Sequence, residues 1–585
     1  MPAERIVFWP SGRRGDGTGH MRRCVELARN LRDRGIDTQL ILEEGGSGVR
    51  DAEAWRAVLP GFPFDLPLES PRLLPPGSLA VLDRRSCRRE ELEILGSDAA
   101  ILMIDEDGPA REIASYVLDA IPGPRRSEAN SAGPSWLDLP ETRREPDPAG
   151  PVLVSCGGED PAGLTRRTLD RLVRRYGVDP ARISVTRPAG LAVAELPDGV
   201  AVVDAPEGLA DRLADFGTVI CAYGLTAWEA AAAGCAVLTV HPTPYHRRLS
   251  RSAGFPDFDD YFRARLRDVP RADRDLADAA AAVARALPGS SRRGRLANLL
   301  ADLDAPENRC TACRRGFPPV IARFPDRSYY RCPRCGMIGL HRFRTRTDEY
   351  GPAYFDAEYR NQYGRSYLED FPAIRAMAEP RLAAIRRIRP GAGRLLDIGC
   401  AYGPFLAAAA DAGYDVRGID VSEEAAAYVR DDLGLAAAAA RFPDDDPARI
   451  FDLPSFDVIS LWYVIEHFSD LERVLTSLAG LVASGGVLAL STPNCAGISG
   501  RRNLRRFLER SPADHYSVWR TRIARRLLAR HGFEVRRIRI TGHHPERMAA
   551  RLRPGRIGYR VAYRISRLFR LGDTFEIYAR KRSPD

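Results

Sequence analysis

An apolar run followed by a glycine-rich turn and a helix occurs near both ends of this chain, and nothing else in the sequence constrains the fold so tightly. The first copy is "RIVFWP" with "GDGTGHMRRCVELARNLRDRG" after it (15–35); the second is "RLLDIGCAYGPFLAAAADAGYDVRGID" (394–420). A short continuous apolar run fits a strand buried on both faces. Helices returning between such strands make a parallel sheet covered on both sides. Ligands of these sheets bind beyond the carboxyl ends of the strands. After the first turn the alternation continues through "DTQLILEE", "LAVLD" and "AAILMID", the last two ending in Asp83 and at Asp105. It breaks at "AGPSWLDLPETRREPDPAG", a proline- and charge-rich stretch. It resumes at "PVLVSCGGEDPAGLTRRTLDRL" and runs through "ISVTR", "VAVVDA" and "TVICAYGLTAWEAAAAGCAVLTVHP". The stretch "LPGSSRRGR" and then "DAPENR" are linker-like, and a third α/β pattern starts at Leu395. A chain of 585 residues is too long for one core, so a multidomain α/β protein is expected.

Before the third pattern, Cys310, Cys313, Cys332 and Cys335 form C-x2-C-x18-C-x2-C. Two hooks of this spacing can place four thiolates tetrahedrally around Zn²⁺. A filled thiolate shell leaves no open position, so the expected role is structural; the alternative is two unrelated thiol pairs.

The charge excludes some chemistry. Of 87 lysines and arginines, only Lys581 is lysine. A P-loop and a Schiff-base lysine are therefore not expected. The segment 547–570, "RMAARLRPGRIGYRVAYRISRLFR", is dense in arginine and nearly free of acids. It reads as a solvated helix face or as a contact with an anionic substrate or membrane surface. It lacks the lysines common in an RNA surface, so no nucleic-acid partner is expected. The chain shows no signal-peptide pattern at its start and no run of about 18 apolar residues, from which a cytoplasmic location is expected.

In the second glycine turn, Gly399 and Gly403 let the backbone approach a nucleotide. Asp420 ends the next strand, where a carboxylate can accept from both ribose hydroxyls. This stretch resembles the first two motifs of class I S-adenosylmethionine methyltransferases. The resemblance implies that Asp397 organises the loop near the methionine part of the cofactor. "FDVISLWYVIEHFSD", "LVASGGVLALSTPN", "DHYSVWRTRIARRLLARHGFEV" and "DTFEIYARKR" resemble later elements of that family in order. With the cysteine hooks and "YFDAEYRNQYGRSY", residues 308–583 resemble zinc-ribbon methyltransferases of the cell-surface glycan and natural-product type. One departure is Ala401, where the commonest pattern has glycine. Methyl transfer to a hydroxyl needs alignment and removal of a proton. His467 and His515 are the base candidates, with Glu466 and Tyr516 as neighbours that could orient them; otherwise Glu466 and His467 only shape the loop.

The first glycine turn resembles the opening loop of the nucleotide-sugar hydrolase of the pseudaminic acid pathway, a two-lobed GT-B protein, in Gly17, Thr18, Gly19, His20, Arg23 and Cys24. "LAVLDRRSCRREELEIL", with Asp83, "VSCGGEDPAGLT", with Gly157 and Gly158, and "YGLTAWEAAAAGCAVLTV" match in order. The resemblance implies that Glu229 holds the ribose of a uridine nucleotide. Amides at a helix N-terminus suit a diphosphate, and Gly224 to Ala227, including Thr226, offer one. His20 facing it could deprotonate water or an acceptor hydroxyl; taken alone, it reads as a satisfied imidazole at a helix start. Those hydrolases usually carry an asparagine–glutamine pair where this chain has Tyr245 and His246, so the sugar or acceptor pocket is expected to differ. Hydrolysis and glycosyl transfer both stay open.

The expected layout is a GT-B N-terminal lobe (1–130), a nucleotide-sugar-binding lobe (150–290), a zinc ribbon (308–345), a helical lid or linker (346–390) and a methyltransferase domain (391–585). The resemblances imply a bifunctional enzyme using S-adenosylmethionine and structural zinc, with a UDP-linked sugar and a sugar or related methyl acceptor as partners. The alternative is a methyltransferase whose N-terminal half binds sugar nucleotides without turnover.

Overall fold

The computed structural model describes residues 3–13, 16, 18–42, 53, 55, 68–125, 127–145, 147–160, 162–188, 191–203, 208–287, 294–343, 360, 364–549 and 552–583. The chain divides into two compact units, Met1–Asn308 with Arg323–Asp326, and Arg309–Ala322 with Arg327–Asp585.

The first unit holds two parallel sheets. One is built from β1 (Arg5–Pro10), β2 (Asp37–Ile41), β3 (Leu68–Glu69), β4 (Ser78–Asp83), β5 (Ala100–Ile104), β6 (Tyr116–Asp119) and β7 (Ser131–Ala132), in the order β3-β2-β1-β4-β5-β6-β7. The register Trp9↔Leu82 and Pro10↔Asp83 ends β1 and β4 at the same edge. β1 and β4 are buried along almost their whole length, which is why their sequences carry no polar alternation. The helix Gly19–Arg32 follows β1. It buries Met21, Cys24, Val25, Ala28 and Leu31 on one face, spaced as a 3.6-residue period requires, and ends with Arg29 and Arg32 in its last turn. The second sheet contains β8 (Val152–Ser155), β9 (Ile183–Val185), β10 (Ala201–Val202), β11 (Thr218–Ala222) and β12 (Ala236–Val240), in the order β10-β9-β8-β11-β12. The two apolar-run patterns of the N-terminal half thus become two separate parallel sheets.

After β13 (Val320–Phe324), whose residues are divided between the units at Ala322, the second unit has strands β14 (Arg327–Arg331), β15 (Ile338–Arg342), β16 (Arg394–Ile398), β17 (Asp415–Asp420), β18 (Ala436–Ala439), β19 (Phe456–Trp462), β20 (Val482–Pro493), β21 (Ser517–Val518), β22 (Phe533–Thr541) and β23 (Thr574–Lys581). Its large sheet runs β18-β17-β16-β19-β20-β23-β22. It is parallel from β18 to β20, and β23 enters antiparallel between β20 and β22. β14 and β15 form an antiparallel hairpin extended by β21, with Ile338 opposite Val518 and Gly339 opposite Ser517. Cys310, Cys313 and Cys332 share one core with Leu471, Val474, Trp519 and Ile523, so the cysteine hooks are packed into the second unit and are not a separate module.

Candidate functional site

In the first unit, His20, Arg23, Asp83 and Asp105 form one cluster at the carboxyl edge of the sheet, the two carboxylates buried and His20 and Arg23 part-buried. His20 Nδ1 lies 2.6 Å from Asp83 Oδ1. Arg23 donates through Nε to Asp83 Oδ2 at 2.6 Å, through one terminal nitrogen to Oδ1 at 2.7 Å, and through the other to Asp105 Oδ2 at 2.8 Å. Burial alone would push the Asp83 carboxyl up, but Arg23 and His20 outweigh it and hold the group at about 2. In Asp105 burial wins and the carboxyl is raised, although Arg23 and the Ile121 N–H, which donates at 2.7 Å, oppose it. An ionised Asp83 accepting from Nδ1–H fixes the tautomer that leaves Nε2 as the basic atom of His20.

The second sheet presents its own turns to this helix start. A Cβ built on Gly158 would lie 3.1 Å from Thr18 Oγ1, and one on Gly19 would lie 3.5 Å from Leu225 Cδ1. Gly157–Gly158 follows β8, and Gly224 caps the helix Leu225–Ala232, which carries Thr226 and Glu229. Burial raises the Glu229 carboxyl, Arg22 opposing, and its Oε2 has no hydrogen-bond partner. Tyr245 and His246 open the helix Pro244–Ser252, their rings 5.6 Å apart and edge-on. His246 Nδ1 meets Thr243 Oγ1 at 2.8 Å. Burial lowers the His246 imidazole, and Arg85 and His241 lower it further. Tyr245 also lines a cavity of about 330 Å³ with Asp107, Arg125 and Arg248. Gly17 lies outside the described residues.

The four cysteines converge. Cys310 and Cys335 sulfurs are 3.6 Å apart, Cys313 and Cys332 sulfurs 3.5 Å, and all four lie within 4.8 Å of one another. A tetrahedral ion with Zn–S bonds of about 2.3 Å needs sulfurs roughly 3.8 Å apart, and this set fits it. Between the first two cysteines, Thr311 grips the main sheet's flank. Its Oγ1 donates to Ser469 O at 2.6 Å and accepts from Leu471 N at 3.1 Å, while its carbonyl accepts from Glu472 N at 3.1 Å.

The glycine turn after β16 is tied to β17. Gly399 N and Cys400 N donate to Ile419 O at 2.8 and 3.1 Å. Gly399 and Gly403 have φ of 71° and 76°. A Cβ at Gly399 would come within 2.5 Å of Val464 Cγ2. Ala401 also sits in the left-handed region, at φ 46°. Asp420 accepts from Ala401 N through one oxygen and from Ser422 N through the other, both at 2.9 Å. Each carboxylate oxygen has a second lone pair, so ribose hydroxyls can still be accepted. Asp397 is buried and takes the Ser460 hydroxyl at 2.6 Å. Burial pushes its carboxyl up to about 7 against the pull of Ser460 and Arg381.

Beyond β19, Glu466, His467 and His515 come together. The two rings are 4.7 Å apart and perpendicular, and His467 Nδ1 lies 3.1 Å from Asp514 Oδ2. Burial raises the Glu466 carboxyl to about 7, partly countered by His467. Burial and His467 lower the His515 imidazole to about 3.

The family model described as "Methyltransferase domain" matches residues 368–538, which span the helices before β16, the glycine turn and the histidine cluster. Residues 368–538 are a class I methyltransferase domain. A "Ubiquinone biosynthesis O-methyltransferase" of Ralstonia nicotianae is 31% identical over 136 residues, covering 21% of this chain and 53% of that protein. One of the same name from Rhizobium rhizogenes is 28% identical over 185 residues, covering 29% and 70%. The chain spans about half the length of the first of these relatives. Among solved structures, a "SAM dependent methyltransferase" from Archaeoglobus fulgidus is 17% identical, covers 40% of this chain and all of its own, and has a TM-score of 0.29.

Three residues in and around the methyltransferase domain carry little or no local sequence signal. Asp514, beside His515, is the carboxylate that meets His467; the adjacent pair "DH" was its only signal. Arg381 is buried, donates to Glu576 Oε1 at 3.1 Å and lies 4.1 Å from the centroid of the Trp462 ring; no local pattern marks it. Thr311 is hidden inside the first cysteine hook. In the arginine-rich segment, the helix Ile557–Leu568 leaves Ile557, Val561, Ile565 and Leu568 exposed. Among the described residues no helix is long and apolar enough to cross a membrane.

Proposed function

We propose a bifunctional enzyme of glycan or natural-product biosynthesis. Its methyltransferase domain moves the methyl group of S-adenosylmethionine to an oxygen of a sugar or related acceptor. Its first unit is a GT-B pair of lobes acting on a UDP-linked sugar. For methyl transfer, the carrying observation is the left-handed Gly399–Gly403 turn, tied by its amides to β17 and to Asp420 in a region matched by the family model. Asp397 and Asp420 flank the cofactor, and the acceptor hydroxyl loses its proton at the Glu466–His467–His515 cluster. The relatives' shared name, an O-methyltransferase, supports oxygen as the acceptor atom. Cys310, Cys313, Cys332 and Cys335 hold a structural zinc ion that braces the adjoining loop.

For the first unit, the support is the Asp83–His20 pair at a helix start facing the glycine turns of the second sheet. His20 acts as the base toward water or an acceptor hydroxyl; Arg23 locks Asp83 in its charged form. Gly157, Gly158, Gly224 and Thr226 cradle the diphosphate and Glu229 holds the ribose. Tyr245 and His246 shape the sugar pocket.

The test is mass spectrometry of the full chain incubated with a panel of nucleotide sugars, with and without S-adenosylmethionine. Release of nucleoside diphosphate and a gain of one methyl on a sugar-containing product are expected, and His20→Ala removes the first only. Binding of uridine nucleotides without turnover would make the first unit a sensor. No methylated product from any sugar acceptor would overturn the acceptor class.

A further inference from the structure

We propose that Glu466, His467 and His515 form a second metal site in this protein, for a divalent ion of the zinc, cobalt and nickel class. One donor atom from each residue lies within 4.8 Å of the others. The two imidazoles are perpendicular at 4.7 Å, so they do not stack.

Glu466 is the observation that calls for an ion. It is 1% exposed, and neither carboxylate oxygen has a hydrogen-bond partner. The Thr492 hydroxyl lies near it without reaching hydrogen-bond geometry. Buried carboxylates are otherwise paired, hydrogen-bonded or bound to metals. Behind His467, Asp514 Oδ2 sits 3.1 Å from Nδ1. A carboxylate on the far nitrogen is the support that metal-ligating histidines have; it fixes the ring and leaves Nε2 for the ion.

The donor set selects the ion. Two imidazoles and one carboxylate suit borderline divalent metals, whereas calcium and magnesium take oxygens. It differs from the four-thiolate cluster, which has no open position. Three protein ligands leave coordination positions free for an acceptor oxygen. The flanking backbone is braced: Thr311 holds Ser469 and Leu471 just after His467, and β21 pairs with β15 just after His515. The chemical consequence rests on the methyltransferase reading above: a hydroxyl bound to the ion is acidified, so the histidines act as ligands and no free imidazole is needed as base. Metal binding itself does not rest on that reading.

The experiment loads the full-length protein with Co²⁺ alone, desalts it, and measures cobalt by elemental analysis together with the visible and near-ultraviolet spectrum. Two equivalents are expected, one with thiolate charge-transfer bands and one with only weak ligand-field bands. His515→Ala and Glu466→Gln each lose the second equivalent and keep the thiolate bands, with cooperative thermal unfolding as the check of folding. One equivalent in the wild type, or an unchanged count in both folded variants, overturns the proposal. Two equivalents in a protein that binds no S-adenosylhomocysteine uphold the metal site and sink the methyltransferase reading instead.

Discussion

Asp83→Asn removes the charge at the centre of the first unit's cluster and keeps the shape. The carboxylate is fully buried and accepts from His20 and twice from Arg23. Losing one member of a buried ion pair costs about 3–5 kcal/mol. Arg23 keeps Asp105, which puts the expected loss near the lower end, about 3 kcal/mol at pH 7. The pH dependence gives an independent magnitude. The carboxyl is held at about 2 against an ordinary 3.8, which corresponds to about 2 kcal/mol at roughly 1.4 kcal/mol per unit. Because the folded value is the lower one, this stabilisation is present above 3.8 and is lost as the pH falls through about 2. At pH 3 about 1 kcal/mol of it has gone. Asparagine does not titrate, so the gap between wild type and variant narrows by about 1 kcal/mol from pH 7 to pH 3. Urea unfolding at each pH, assigned to this unit by hydrogen exchange of the β1 and β4 amides, measures it. A variant as stable as wild type at pH 7, or a gap that widens in acid, would refute the assigned charge state.

Three further outcomes are expected. Gly399→Ala places a Cβ 2.5 Å from Val464 Cγ2 at φ 71°; it costs about 2–5 kcal/mol and abolishes S-adenosylhomocysteine binding in calorimetry, whereas unchanged binding would remove the turn from the cofactor site. Thr311→Val leaves the Ser469 carbonyl and the buried Leu471 N–H unpaired and lowers the stability of the second unit by about 1–3 kcal/mol without loss of the zinc proposed at the four cysteines; a loss below roughly 0.5 kcal/mol would show that the hook does not brace the loop. The helix Ile557–Leu568 sets an exposed apolar stripe among arginines, so the protein should bind phosphatidylserine vesicles at low salt. Replacing Arg560, Arg564 and Arg567 by glutamate should weaken this by about 1 kcal/mol or more per site, and salt-insensitive or absent sedimentation with vesicles would leave the segment a solvated face.

Local patterns were legible because their physics is local. The parallel-sheet architecture followed from uninterrupted apolar runs such as those of β1, β4 and β5, which only a strand buried on both faces tolerates. The four cysteines were readable from spacing alone, since a metal-binding hook closes within a few residues. The glycines of the second turn were readable because a backbone that must approach a nucleotide closely has no room for a side chain there. Ala401 shows the limit of that reading: it takes φ 46°, a conformation that alanine disfavours, and it is held there in part by its N–H bond to Asp420.

The pairings that turn these segments into candidate sites were not local. His20 meets Asp83 across 63 residues, His467 meets Asp514 across 47, and Thr311 meets Ser469 across 158. Strand order decides such meetings: β1 is hydrogen-bonded to β4, and β15 to β21. By itself the sequence determined which segments become strands, where the backbone must turn tightly and which thiols can share an ion. Only the tertiary structure decided which carboxylate stays charged, which stays unpaired, and which histidines face each other. Those properties depend on burial and on neighbours brought in by the sheets, and neither is written in the order of residues along the chain.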